Sequence, residues 1–84
     1  MDKNYIDITL NTGEIKKMEI VSTFKIENYP YDYIIYCELD NSHYYLAKYM
    51  NDNLNSLSTD FNEDEFLLAN KIFEGVVNEN ETRN

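Results

Sequence analysis

The apolar residues of this chain change period once, and that change limits the fold more than any other feature. Ile6, Ile8 and Leu10 alternate with Asp7 and Thr9, and the two-residue period returns in segments up to Met50. From Phe66 to Val77 the apolar positions instead follow the 3.6-residue period of a helix. Strands followed by a single helix make an α+β domain. Eighty-four residues hold one domain of this kind, expected to span 1–84 with an ordered core at about 5–77 and a polar tail from 78 onward.

Turn chemistry places the strands. Asn11-Thr-Gly-Glu14, with Gly13 free to take a positive φ, predicts a hairpin after the first strand. The return strand runs over 15–26, with Met18, Ile20, Phe24 and Ile26 on one face, and Pro30 ends it. Strands at 33–39 and 43–50 flank Asp40-Asn-Ser42. A two-residue loop at Asn41-Ser42 sets Leu39 opposite Tyr44, Cys37 opposite Leu46 and Ile35 opposite Lys48. Tyr36, Tyr45 and Tyr49 then share the other side. Leu54 and Leu57 are anchors for a short fifth strand.

The helix is the clearest element. Asn62 with Glu65 three residues on approximates a capping box, Phe61 and Phe66 stand where a hydrophobic staple needs them, and Glu63, Asp64 and Glu65 suit the positive helix end. A helix over 63–77 is predicted, with Gly75 as an alternative early end. It presents Phe66, Leu68, Ala69, Ile72, Phe73, Val76 and Val77 within one half of its circumference. The expected fold is α+β: an antiparallel meander of four or five strands with one C-terminal helix packed on one face. Ile20, Phe24, Ile35, Leu39, Leu46, Ile72 and Phe73 are its expected core.

Charge narrows the partners. Sixteen acids against seven bases give −9, and residues 51–84 carry −6 of it. Long-range repulsion opposes direct nucleic-acid binding and anionic membranes, and no apolar run reaches the ~20 residues of a membrane span. The first residues lack the basic-then-apolar run of a signal peptide and Cys37 is the sole cysteine, so a cytoplasmic location is expected.

No catalytic chemistry follows from the residues. Asp60, Asn62 and Asp64 fill alternate positions of a calcium loop, but Glu65 stands where the turn needs Gly and Lys71 where a bidentate Glu is required. One His and one Cys do not make a structural zinc site. His43 adjoins Ser42 and Asp40 in one turn, whereas a triad converges from separate elements. Cys37 reads as a small core hydrophobe. No enzyme, metal or cofactor is expected.

Surface remains. Seven of eight tyrosines fall between Tyr29 and Tyr49. Their number, together with that of Asn and Ile, is what an AT-rich genome would favour, so only their positions bear on function. Tyr36, Tyr45 and Tyr49 are either cross-strand fillers with wet hydroxyls or a protein-contact face, the latter because tyrosine is enriched at interfaces. An unidentified protein or a second copy is the expected partner.

The chain also resembles a known family, the YrzB-like small acidic proteins of Firmicutes. The resemblance rests on Ile8-Thr-Leu10 with Gly13-Glu14, on Met18-Glu-Ile-Val-Ser-Thr-Phe24, on Tyr33-Ile-Ile-Tyr36, on Leu46-Ala47, on Leu57 and on Glu63-Asp-Glu65, spanning residues 6–77. It implies a small cytosolic fold of this kind and transfers no site, since the family is a domain of unknown function. The function expected is a non-catalytic protein-binding or regulatory module. The alternative is an acidic nucleic-acid mimic that blocks a basic nucleic-acid-binding protein.

Overall fold

Four strands in the order β1-β2-β3-β4 form an antiparallel meander: β1 (Tyr5–Thr9), β2 (Ile15–Lys25), β3 (Asp32–Cys37) and β4 (Tyr44–Tyr49), followed by α1 (Glu63–Thr82). This is a computed structural model and describes residues 4–40, 42–54 and 56–82. The first hairpin turns as its residues require. Gly13 sits at φ +88°, and the Leu10 amide donates to the Glu14 carbonyl at 2.8 Å.

β2 carries a bulge. Ile20 pairs with Tyr36 and Ser22 with Ile35, which leaves Val21 as the extra residue. A bulge inverts the alternation beyond it, so the expected single face of β2 is divided. Met18 and Ile20 pack with Ile6, Ile34, Tyr36 and Ala47 on one side of the sheet. Phe24 and Ile26 pack with Tyr33, Leu46 and Ala69 on the other, which is the side that α1 covers.

The second hairpin is displaced by two residues from the predicted register. Cys37 pairs with Tyr44, Ile35 with Leu46 and Tyr33 with Lys48. An even displacement keeps every side chain on its expected face, so Tyr36, Tyr45 and Tyr49 still share one side. The Glu38 amide bonds to the His43 carbonyl, which widens the connection and leaves Leu39 in it, 54% exposed rather than in the core. Asn41, half of the predicted loop, lies outside the described residues.

The chain leaves β4 through Asn51 and Asp52, at φ +54° and +59°, with the Asn53 amide bonded to the Met50 carbonyl. Two positive φ values are what a type I′ turn demands, and Asn and Asp tolerate them. The chain then runs back along the β4 edge, where Ser58 and Lys48 exchange both backbone hydrogen bonds at 2.8 and 2.9 Å. The expected fifth strand is this one bridge.

β3 is covered from both sides: Tyr33, Ile34, Ile35, Tyr36 and Cys37 are all buried. One helix covers one face, as expected, while Leu54 and Leu57 fold back over part of the other. The helix continues to Thr82, past both the expected end at 77 and the alternative end at Gly75. Its docked side is Glu65, Ala69, Phe73, Val76 and Asn80, which leaves Ile72 37% exposed and outside the core.

Candidate functional site

The tyrosine face is the first candidate. Tyr36 and Tyr45 stand directly opposite each other with their rings stacked at 5.3 Å. Tyr45 donates its hydroxyl to Glu38 Oε2 at 2.9 Å, and Glu38 also pairs with Lys16. The Lys16 ammonium hydrogen bond and that of Tyr45 hold the Glu38 carboxyl below its usual range. Tyr36 is only 8% exposed, and burial raises its phenol. The expected open trio is therefore a covered floor residue, a partly exposed ring held by Glu38, and a half-buried Tyr49. Replacing all three by Ser would damage the fold, because Ile34, Ala47, Leu54 and Leu57 pack in the same cluster. Beside it, Ile8, Tyr36, Ala47, Leu54 and Leu57 line a shallow cavity of about 650 Å³.

A second cluster was not anticipated. Glu65 does what the capping box requires: it accepts from the Asn62 amide at 3.2 Å and donates its own amide to Asn62 Oδ1 at 2.7 Å. The same carboxylate is 1% exposed and accepts two bonds from Lys48 Nζ, at 3.0 and 3.1 Å, and one from the Tyr33 hydroxyl at 2.7 Å. The Lys48 ammonium lies 4.1 Å from the Tyr31 ring centre and 5.2 Å from that of Phe61. Burial pushes the Glu65 carboxyl upward, but bonds from Tyr33, Lys48 and the Asn62 amide outweigh it, and its pKa falls. Burial, then the bond to Glu65, raises the Tyr33 phenol. The cluster joins β3, β4 and α1 as a fastening, with every buried side-chain nitrogen and oxygen among the described residues partnered, and on its open side Tyr31 and Lys48 also line a cavity of about 300 Å³ with Tyr49, Met50 and Asn53. The sequence offered one signal, a lysine amid the apolar residues of β4.

The third candidate is the outer side of α1. Phe66, Leu67, Leu68 and Ile72 are 46%, 62%, 49% and 37% exposed. Phe66 is partly used, since its ring meets Phe61 edge-on at 6.1 Å and closes the predicted staple. Leu68 and Ile72 flank the docked side toward β2. The groove there, about 210 Å³, is lined by Val21 and Ser22 of the bulge and by Val76, Glu79 and Asn80.

Chemistry is sparse elsewhere. His43 is exposed, with Nδ1 3.1 Å from Ser42 Oγ, and Cys37 is a buried thiol. Among the described residues no three His, Cys, Asp or Glu side chains gather as metal ligands, and no helix is long and apolar enough to cross a membrane. No family model matches the chain, and neither a curated protein nor a solved structure matches it.

Proposed function

We propose that the chain is a non-catalytic protein-binding or regulatory module of the bacterial cytosol, kin to the YrzB-like proteins. The observation that carries the reading is the exposure of Leu67, Leu68 and Ile72 on one helix of a chain that is otherwise strongly acidic. Exposed apolar side chains set among charges mark contact surfaces. The contact moves from the tyrosines to α1, because Tyr36 is spent on the core and Tyr45 is already bound to Glu38.

A photo-crosslinking side chain placed at Leu68, and separately at Tyr45, tests this in the producing cells. Position 68 is expected to trap a discrete foreign protein, and position 45 is not. Trapping at neither position removes the reading. A partner held through a basic nucleic-acid groove and released by salt replaces it with the nucleic-acid mimic.

A further inference from the structure

We infer that the open half of the helix-bearing face, between α1 and the β1–β2 hairpin, receives a basic amphipathic helix from a partner protein. This rests on the protein-binding reading and names the partner's chemistry.

Width is the first argument. Four strands about 4.8 Å apart make a face nearly twice as wide as one helix of about 10 Å, so α1 covers only half. It lies on the β3–β4 half, fixed there by Glu65 to Tyr33 and Lys48 and by Asn80 to the Tyr44 hydroxyl. On the other half, Tyr5 and Ile15 face the same side and are 46% and 66% exposed. One more helix laid beside α1 completes that layer.

Spacing is the second. Leu68, Ile72, Gly75 and Glu79 are separated by four, three and four residues, which aligns them along one side of α1 as a seam for another helix. Gly75 lies in the middle of it, exposed and in the interior of a helix that it weakens, yet a Cβ there would meet nothing in the chain. Its own fold does not require the glycine. A partner backbone crossing at that notch would. The bulge adds Val21 to the groove beside the seam.

Charge is the third and selects the occupant. The seam and the open strands carry Asp64, Glu79, Asp7 and Glu19 against Lys17 and Lys71, within a chain of net charge −9. A second copy would bring two chains of −9 together, whereas a lysine- or arginine-flanked apolar helix is drawn in.

The test is calorimetric titration of the full chain with a synthetic Leu/Lys amphipathic helix of about 18 residues, roughly five turns. Its scrambled isomer and a Leu/Glu counterpart are the controls. Only the first is expected to bind, in roughly the micromolar range, and to lose affinity several-fold between about 50 and about 500 mM salt. The double variant L68S/I72S should weaken it at least ~10-fold. Gly75→Met, which fills the notch without touching the core, should weaken it as well, and Tyr45→Phe should not. Amide shifts on binding should centre on Val21, Leu68 and Ile72. Equal binding of the scrambled peptide, shifts centred on the Tyr36–Leu54 cavity, or a dimer that buries Leu68 each overturns the proposal. If a crosslinker at Leu68 traps a partner that presents no basic helix, the proposal falls while the protein-binding reading stands.

Discussion

The two hairpins of one sheet are treated differently. The β3–β4 hairpin is covered on the helix side by α1 and partly on the other by Leu54 and Leu57, and it holds a buried lysine and a buried glutamate. Where β1 and β2 pair, before the bulge, the first hairpin is covered on one side only, although Phe24 farther along β2 packs on the helix side. Ile6 and Met18 are buried there, while Tyr5, Ile15 and Lys17 on the helix side are exposed. The difference is visible in side-chain pattern: β3 reads as a continuous apolar run, Tyr33-Ile-Ile-Tyr-Cys37, and β1 as an alternation. A strand buried on both faces has no use for polar residues, and one buried on a single face alternates them.

The largest break of this contrast should come at the buried pair. Lys48→Ala leaves the Glu65 carboxylate buried without its cation and is expected to cost about 3–5 kcal/mol in urea unfolding. Replacing both partners, Lys48→Met with Glu65→Leu, should recover most of that loss, since neither charge is then stranded. A double variant as unstable as the single one would mean that packing, not charge, fixes the helix.

Ile35 and Ile15 compare the two halves directly. Ile35→Ala removes a fully buried side chain and should cost about 3 kcal/mol, while Ile15→Ala, two-thirds exposed, should change stability by less than ~0.5 kcal/mol. Similar losses at both sites would show the hairpins to be equally covered.

Acid should separate the halves next. Because the folded Glu65 carboxyl has its pKa lowered, its contribution is complete above the unfolded value near 4.5 and is lost as pH falls through the lower folded value. Half-buried Glu38, also lowered, adds in the same direction. The urea midpoint should therefore drop below about pH 4.5, and Glu65→Gln should flatten that drop. An unchanged slope in the variant would assign acid sensitivity to other carboxylates.

The smallest effect lies on the open side. Gly75→Ala should raise stability by up to ~1 kcal/mol, read as a higher Tm, since alanine favours the helix and its methyl meets nothing. A loss instead would mean that the helix is not regular there.

Much of this architecture was legible in the residues. The meander, the Gly13 turn, the capping box and the staple all rest on local rules, and local rules hold when the partners are near in sequence. Errors arose where the partner was distant. The register of β4 depended on a connection whose length the residues left open, and the division of β2 depended on Val21, which nothing in Ile-Val-Ser marks as a bulge. Ile72 and Leu39 looked like core because apolar residues on one helix half or strand face are equivalent until the neighbouring element is placed. The same holds for Tyr36, whose burial depends on Leu54 and Leu57 folding back over it.

What the sequence by itself determined was the kind and order of the elements and the acidity of their surface, since period, turn residues and charge act over a few residues or over the whole chain. Only the tertiary structure decided which Glu of the first helical turn would be buried. The helix dipole treats Glu63, Asp64 and Glu65 alike and the capping box asks of Glu65 only a bond back to Asn62, but Glu65 alone is aimed at Lys48 and Tyr33 once β3 and β4 lie beneath it. Burying a carboxylate is tolerable only where a cation and donors already converge, and in this chain those come from residues 17 and 32 positions away.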